Sequence, residues 1–304
     1  MSLPTAITLK EIGILEISGP GASELLQGQL TIDVEKISPD NSQHGAICNI
    51  KGRVISSFVI SQSLTREKEF WLIVSKDLID KTITTLKKYA PFYDVSIQNI
   101  SSNWTIEGID KLNMESFFKK AELQTQKNTL RQNNLLAIRS LNKAYLIVYN
   151  ELDKVNTKAA VSPKIWDNLN ISALNSEVCL ETSEVYTPHE LNYHLNGRID
   201  FEKGCYTGQE IVARMNYRAK SLPQIYYATS FDVNLKLNMT ITQRVDKTNT
   251  VKPSKLGSII NINVSDNKSH ILVSMKESVF LQSHLELGEE LVVKETGSNI
   301  QLKN

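Results

Sequence analysis

Cysteine and histidine are scarce in this sequence, and their spacing is unsuited to a metal site or a disulfide framework. Of its 304 residues, 3 are cysteines and 5 are histidines. An odd number of cysteines without a Cys-x-x-Cys pair argues against paired disulfides and against a zinc knuckle. His189 and His194 are close in sequence, but no thiol or carboxylate accompanies them at helical ligand spacing. We therefore expect no structural metal site.

Long apolar runs and an excess of charge are missing as well. No stretch of about 18 apolar residues occurs, which excludes a transmembrane helix. The segment 1–10 lacks both the pattern of a secretory signal and that of an organellar transit peptide, so we expect a cytoplasmic protein. The formal net charge is +1. A nearly neutral chain has no overall field that would draw it to nucleic acid or to an anionic membrane.

The chain has enough apolar residues, 41% of the total, to build real cores. Residue periodicity predicts strands at 12–17, 45–50, 54–61, 69–74, 94–98, 104–109, 135–139 and 144–149. It predicts helices at 22–30, 77–90, 114–121, 151–160 and 163–169. Strand pairs alternate with helices without a regular βαβα succession. This order indicates an α+β architecture.

Beyond residue 222 the pattern changes to short strands separated by polar turns. Strands are predicted at 226–231, 239–243, 257–264, 269–275 and 290–294, and no good helix is predicted among them. This composition is typical of a small C-terminal β-barrel or sandwich. We place a domain boundary near Pro223, between an α+β region at 1–222 and a β-barrel domain at 223–304.

One octapeptide concentrates the chemically informative residues. It reads Lys203-Gly204-Cys205-Tyr206-Thr207-Gly208-Gln209-Glu210. Thr207 and Glu210 have the spacing of a capping box, and Tyr206 and Ile211 have the spacing of a hydrophobic staple. The octapeptide is therefore predicted to be a loop that enters a helix running to Met215.

Cys205 would precede this helix by two residues and would have Lys203 beside it. A helix N-terminus and a neighbouring cation both favour the thiolate and lower a cysteine's pKa. Gly204 and Gly208 let the backbone bend tightly and a ligand approach closely. Two interpretations remain open: an accessible, activated thiol on a ligand-facing loop, or a buried cysteine at a well-capped helix start.

The octapeptide resembles the signature of the YgfZ family, which is similar in fold to the aminomethyltransferase of the glycine cleavage system. Further segments also resemble that family, namely 26–33, 48–53, 87–90, 166–171 and 211–214. The resemblance extends from about residue 10 to about residue 220. It implies three subdomains arranged as a ring, with a reduced folate such as tetrahydrofolate in the central opening.

The resemblance also suggests which side chains hold the folate. A pterin needs an aromatic or apolar slot and polar partners, and the glutamate tail needs cations. Trp166 or Tyr206 are candidates for stacking, and Gln209 or Glu210 are candidates for the pterin hydrogen bonds. The candidates for the tail are Lys51, Arg53 and Arg214.

Two departures separate the chain from classical aminomethyltransferases. Those enzymes use a carboxylate from an Arg-x-Glu-x-Gly type of run, and Ile171-Ser-Ala-Leu-Asn175 stands in its place here. They also have an acidic residue at the position of Cys205. A third departure is from the YgfZ family itself, since His189 replaces a common glutamine, and we interpret it as an exposed loop histidine.

The resemblance implies a folate-dependent accessory factor for iron–sulfur proteins, including enzymes that thiomethylate tRNA. Cys205 would be its reactive thiol, and its partners would be iron–sulfur client or assembly proteins. Because a permanent cluster normally takes four ligands, we expect no stably bound cluster. The alternative is a folate-dependent one-carbon transferase, with Asp77 or Glu210 as the acid or base.

A direct tRNA-binding modifier is the third hypothesis, because five cations cluster in sequence. They are Arg198, Lys203, Arg214, Arg218 and Lys220, and Asp200, Glu202 and Glu210 are interleaved with them. A charge run of this mixed kind is usually a solvated face. We therefore do not expect direct nucleic-acid binding.

Overall fold

The computed structural model describes residues 6–66, 68–114, 118, 127–132, 134–150, 162–217, 222–244, 254–285 and 291–303. The predicted helix at 151–160 and most of the one at 114–121 lie outside these residues. The same holds for Arg218 and Lys220. No helix in the described ranges is long and apolar enough to cross a membrane.

The first sheet contains five antiparallel strands, and their spatial order is β3-β4-β5-β2-β6. The strands are β2 (Ile12–Ser18), β3 (Gln43–Cys48), β4 (Val54–Gln62), β5 (Phe70–Ser75) and β6 (Ser96–Asn99). All five agree with predicted strands to within three residues at either end. Val54 to Ser61 of β4 are all buried, as expected for a central strand covered on both faces.

The second sheet is also antiparallel and has the order β1-β7-β10-β9-β8. It contains β1 (Ile7–Thr8), β7 (Trp104–Ile109), β8 (Thr129–Gln132), β9 (Leu135–Arg139) and β10 (Tyr145–Asn150). The strands predicted at 135–139 and 144–149 form a hairpin, since Tyr145 pairs with Arg139 across the turn between them. Strands β1 and β8 were not predicted, because each is too short to show a period.

The C-terminal strands close into a barrel in the order β11-β14-β13-β12-β15-β16. They are β11 (Pro223–Ser230), β12 (Thr240–Gln243), β13 (Gly257–Ser265), β14 (Lys268–Lys276), β15 (Leu291–Val293) and β16 (Asn299–Leu302). The predicted barrel is confirmed. The first strand begins at Pro223, and the division of the chain into two domains at that point stays a prediction.

Six α-helices occur in the described residues. They are α1 (Ala22–Gln27), α2 (Ile79–Lys87), α3 (Lys111–Met114), α4 (Lys164–Ser172), α5 (Gln209–Asn216) and α6 (Glu277–Leu285). Short 3-10 turns lie at Val34–Lys36, Lys76–Leu78, Ala90–Phe92 and Ser101–Asn103. The expectation of no helix in the barrel region was wrong. The ring of Phe280 in α6 stacks on Tyr226 of β11, so tertiary packing supports a helix with a weak local pattern.

The two sheets pack face to face. Ile14, Trp71 and Ile73 of the first sheet share one buried cluster with Leu136 and Val148 of the second. A separate cluster fills the barrel interior. Barrel residues also join the main core of the first sheet, so the first sheet packs against both of the other sheet systems.

Candidate functional site

A cavity of about 380 Å³ lies where these three sheet systems meet. We call it the central cavity. Its walls include Phe58 of β4, Leu146 of β10, Trp166 of α4 and Asn261 of β13. A partly apolar cavity of this size, with a few polar groups, is typical of a small-molecule site.

Glu177 supplies a carboxylate to the wall of the central cavity. Its Oε2 accepts a hydrogen bond of 2.6 Å from Ser57 Oγ, and its Oε1 is held by the guanidinium of Arg198. Arg198 is 0% exposed, donates to Asn175 Oδ1 at 3.0 Å, and lies over the Tyr193 ring at 4.9 Å. The Glu177 side chain keeps 40% exposure. The arrangement holds the carboxylate in place and leaves part of it open to a ligand.

Sequence reasoning missed Glu177. The sequence analysis had looked for a ligand-binding carboxylate only at residues 171–175 and found none there. Glu177 and its partner Arg198 are 21 residues apart and are joined by no local pattern.

Trp166 and Asp167 face the central cavity from α4. Trp166 packs directly on the backbone of Gly108, where a Cβ atom would lie 2.3 Å from the indole Cε3. The sequence candidate Trp166 is therefore both a core residue and a cavity-lining residue. Asp167 is exposed at the cavity wall, yet desolvation by the surrounding protein raises the pKa of its carboxyl, as suits a proton donor.

The octapeptide lies beside two segments that are distant in sequence. Thr207 N donates to Gly28 O at 3.1 Å, and Thr207 Oγ1 donates to Gln29 Oε1 at 3.0 Å. Gly208 lies against the turn at 48–53, because a Cβ atom there would lie 2.4 Å from Asn49 O. Three segments that were noted separately in the sequence, 26–33, 48–53 and 203–210, thus form one site.

The predicted capping box is wrong. Gly208, with φ 85°, occupies the N-cap position of α5, and no described side chain caps the helix. The hydroxyl of Thr207 is used by Gln29, and Glu210 is exposed. Gln209 Oε1, one position earlier than predicted, accepts from Tyr206 N at 3.3 Å. The close approach to Asn49 requires a left-handed glycine, and this shifts the helix start by one residue.

Lys203 does not point toward Cys205 as an exposed cation. It is 7% exposed, and its Nζ donates to Gln27 O at 2.6 Å and to Leu30 O at 2.7 Å. Burial lowers the pKa of Lys203 to about 8. Its ammonium therefore satisfies carbonyls at the C-terminal end of α1 and anchors the octapeptide there.

Cys205 is exposed, so the interpretation of a buried cysteine is wrong. Gly204 beside it is exposed too, and no described atom lies within 4 Å of the place where its Cβ would be. Cys48 behind the loop is buried, and burial raises the pKa of its thiol to about 12. Of these two thiols, Cys205 is the one that a partner can reach.

The remaining folate candidates lie away from the central cavity. Tyr206, Gln209, Glu210, Lys51, Arg53 and Arg214 are not among the described residues that line it. Arg53 donates to Val185 O at 2.6 Å and pairs with Glu190 at 3.1 Å. Lys51 and Arg214 are exposed, and Tyr206 is buried. Their roles in folate binding stay predictions.

The interpretation of the basic run as a solvated face is wrong for Arg198 and Lys203. Both side chains are buried and hold parts of the fold together. The surface density of cations near the octapeptide is therefore lower than the sequence suggests. The expectation of no direct nucleic-acid binding stays a prediction.

His189 is 0% exposed, so its interpretation as an exposed loop histidine is wrong. Its ring stacks on His194 with centroids 4.5 Å apart. Burial lowers the pKa of His189 to about 4 and also lowers the pKa of His194. The pair is held neutral in the folded chain. In the described ranges, no group of three or more histidine, cysteine or acidic side chains is arranged to hold a metal ion.

This histidine pair makes the protein sensitive to acid. An unfolded histidine binds a proton near pH 6.5, whereas folded His189 does so only near pH 4, so stability is present above pH 6.5 and is lost as the pH falls. As the pH falls from 6.5 to 4.5, we expect the lowered pKa of folded His189 to reduce the free energy of unfolding by about 2 kcal/mol. Urea titrations across this range should show a smaller decrease for His189→Gln than for the unaltered chain. Equal pH slopes would contradict this assignment.

Comparison with known proteins adds a second line of evidence. Residues 6–109 match the family model described as GCVT N-terminal domain. The tRNA-modifying protein YgfZ of Colwellia psychrerythraea is 30% identical over 233 residues, covering 74% of this chain and 71% of that protein. The protein of the same name from Vibrio atlanticus is 31% identical over 230 residues, covering 73% and 69%.

A solved structure has the same fold. The glycine cleavage system aminomethyltransferase T from Bartonella henselae has a TM-score of 0.67, covering 100% of this chain and 86% of that one. The sequence identity is 12%, so the likeness is one of fold alone. The expected aminomethyltransferase-like fold is confirmed.

Proposed function

Because the chain belongs to the YgfZ family, we propose that it supports tRNA modification as a folate-binding accessory protein for iron–sulfur enzymes. The ligand is a reduced folate in the central cavity, and Cys205 is the reactive thiol. The central cavity carries the proposal, because it joins an aromatic wall to a fixed carboxylate. A cytoplasmic location is part of the proposal.

The residues of the central cavity fit a pterin. Trp166 and Phe58 offer flat apolar surface, and Glu177 can accept hydrogen bonds from the amino and ring N–H groups of a pterin edge. Arg198 orients the Glu177 carboxylate without facing the ligand itself, since it is fully buried. A bound reduced folate would supply one-carbon or redox chemistry, and the protein would bind and orient it.

Cys205 is proposed to act at the surface rather than in the central cavity. It is exposed, whereas its loop is fastened by Lys203 to the end of α1 and by Thr207 to Gly28. A single accessible thiol on an anchored loop suits transient contact with a partner's thiol or cluster. It does not suit stable binding of an iron–sulfur cluster, which normally takes four ligands.

The second candidate function is a folate-dependent one-carbon transferase. Asp167 favours it, because a partly desolvated carboxyl with a raised pKa on the wall of a ligand cavity can act as an acid. The sequence candidates for this role lie elsewhere. Asp77 accepts from Leu180 N at 2.8 Å, and Glu210 is exposed outside the cavity. Product formation from an aminomethyl donor and tetrahydrofolate, absent in Asp167→Asn, would favour this candidate.

Folate binding can be tested by titrating the protein with tetrahydrofolate under anaerobic conditions. We expect saturable quenching of tryptophan fluorescence, with most of the signal lost in Trp166→Phe. The other two tryptophans pack against each other with tilted rings and are not among the described residues that line the central cavity. Cys205→Ala should bind as the unaltered chain does. Calorimetry should show at least tenfold weaker binding for Glu177→Gln, about 1.4 kcal/mol, as a charged hydrogen-bond acceptor is lost. The absence of any binding would reject the folate role.

The cellular role can be tested in a bacterium that lacks its own YgfZ. Expression of this chain should restore thiomethylated nucleosides in tRNA, measured by mass spectrometry. Cys205→Ala should fail to restore them although it binds folate normally. Full restoration by Cys205→Ala would reject the proposed role of the thiol.

A further inference from the structure

Two asparagines of the C-terminal barrel hold the wall segment 177–181, which contributes Glu177 to the central cavity. Asn261 Nδ2 donates to the main-chain oxygen of Glu177 at 2.9 Å. Asn238 Nδ2 donates to the main-chain oxygen of Glu181 at 2.8 Å. Asn261 belongs to β13, and Asn238 lies just before β12. The barrel therefore contacts the wall segment at both of its ends.

Both asparagines lie where the backbone of the barrel is irregular. The register of β13 against β14 shifts between Ile259 and Asn261, as at a β-bulge. Asn238 has φ 63°, in the left-handed region. A bulge redirects a side chain, and asparagine adopts left-handed backbone more readily than most residues. The two irregular positions are thus the ones whose amides donate to the wall segment.

The contact with Glu177 fixes how the amide of Asn261 is turned. A carbonyl oxygen can only accept, so the amide atom 2.9 Å from Glu177 O is Nδ2, and Oδ1 lies on the other side. Oδ1 is buried and has no hydrogen-bond partner among the described residues. A buried acceptor without a partner costs free energy that an apolar side chain would avoid. What the amide contributes at this position is therefore its contact with Glu177.

The carboxylate of Glu177 is held at its head by other elements. Ser57 Oγ of β4 donates to its Oε2, and the N–H of Val178 donates to the same Ser57 Oγ at 3.0 Å. The guanidinium of Arg198 holds Oε1. Asn261 is the barrel residue that holds the main chain of Glu177. The direction of the carboxylate depends on both sets of contacts, because a side chain starts from its own backbone.

We infer that Asn261 is a positioning residue for the carboxylate that binds the ligand in the central cavity. The inference rests on the proposed function and gives the barrel a role in ligand binding. Asn261 acts through Glu177, because it fixes the main chain from which the carboxylate reaches the ligand. The segments that resemble the YgfZ family all precede the barrel, so no sequence pattern indicated this role.

A double-mutant cycle tests this role, with tetrahydrofolate as the ligand and anaerobic calorimetry as the measurement. Asn261→Leu should weaken binding about tenfold in the unaltered chain and by less than about twofold in Glu177→Ala, where no carboxylate is left to position. Equal losses in the two backgrounds would show a general effect on the fold and would overturn the inference.

Asn263→Leu is the matched control, because Asn263 is a second asparagine of β13 that donates to a neighbouring segment. Its Nδ2 donates to Lys164 O at 2.8 Å and to Asn168 Oδ1 at 2.6 Å, both in α4. Asn263 is not among the described residues that line the central cavity. We expect its effect on affinity to be the same with and without the Glu177 carboxylate. Coupling to Glu177 as strong as that of Asn261→Leu would contradict the assignment.

Hydrogen exchange of the Val178 amide, followed by NMR, gives a readout without ligand. Asn261→Leu should speed this exchange at least about fivefold, because the Val178 N–H bonds to Ser57 in the segment that Asn261 holds, and Asn263→Leu should not. Unchanged exchange in Asn261→Leu would overturn the positioning role whether or not tetrahydrofolate binds. If the unaltered chain binds no tetrahydrofolate, the proposed function fails, and faster exchange still supports the positioning of Glu177 by Asn261.

Discussion

Gly208→Ala should lower the free energy of unfolding by about 3 kcal/mol, combining left-handed strain with a steric clash. Gly208 has φ 85°, and its added Cβ would lie 2.4 Å from the carbonyl oxygen of Asn49. The neighbour is backbone, so it cannot swing aside. The turn at 48–53 and the start of α5 would have to separate, and this would loosen the site where the three segments meet.

Gly204→Ala is the matched control four residues earlier. No described atom lies within 4 Å of its added Cβ. We expect a change within about 0.5 kcal/mol, as for an ordinary surface substitution. Urea or thermal denaturation of both variants measures the difference. Equal destabilisation would show that the octapeptide does not depend on contact between Gly208 and Asn49.

Arg198→Met should destabilise the chain by about 3 kcal/mol, because it removes a buried charged donor from several partners at once. Asn175 Oδ1 and Glu177 Oε1 would both lose their hydrogen bond from the guanidinium. We expect less than the full cost of a buried unpaired charge. The Glu177 carboxylate would lose its cation, but 40% of its side chain is exposed, so water can hydrate it. Ligand affinity should fall as well, since Glu177 would lose its orientation.

Arg53→Met is the control for this second prediction. Arg53 also pairs with a glutamate, but its side chain is 39% exposed and that of Glu190 is 25% exposed. We expect about 1 kcal/mol or less, as measured for surface ion pairs. Arg53→Met should leave ligand affinity unchanged, because Arg53 is not among the described residues that line the central cavity. A larger loss for Arg53→Met than for Arg198→Met would contradict the proposed importance of the cavity carboxylate.

The strands were predictable because their patterns are local. Strand β7 was predicted with both ends correct, and β9 also matched at both ends. Helix α6 could not be predicted, because it depends on the stacking of Phe280 on Tyr226 across the barrel surface. The extra strand β16 was missed because four residues with two apolar positions are too few to establish a period of two.

The site was predictable only in part. The octapeptide identified the loop that carries the thiol. Cys205 in this loop is exposed, as one of the two interpretations of the sequence predicted. The same pattern misplaced the helix cap by one residue, because capping rules describe a helix start in isolation and Asn49 is not part of that pattern. Lys203 was predicted to act on Cys205 because the two residues are close in the chain. Its ammonium instead binds the carbonyl of Leu30, which is 173 residues away in sequence.

The sequence alone determined the family, the α+β region, the terminal barrel and the loop that carries the thiol. These features depend on residue type and short-range spacing, which act on the backbone wherever the segment lies. Only the tertiary structure decided which residues face the central cavity, that Arg198 and Lys203 are buried, and that Glu177 supplies the carboxylate. Such contacts join residues that are far apart in the chain, and their energies depend on burial and on the geometry of packing, which no local pattern contains.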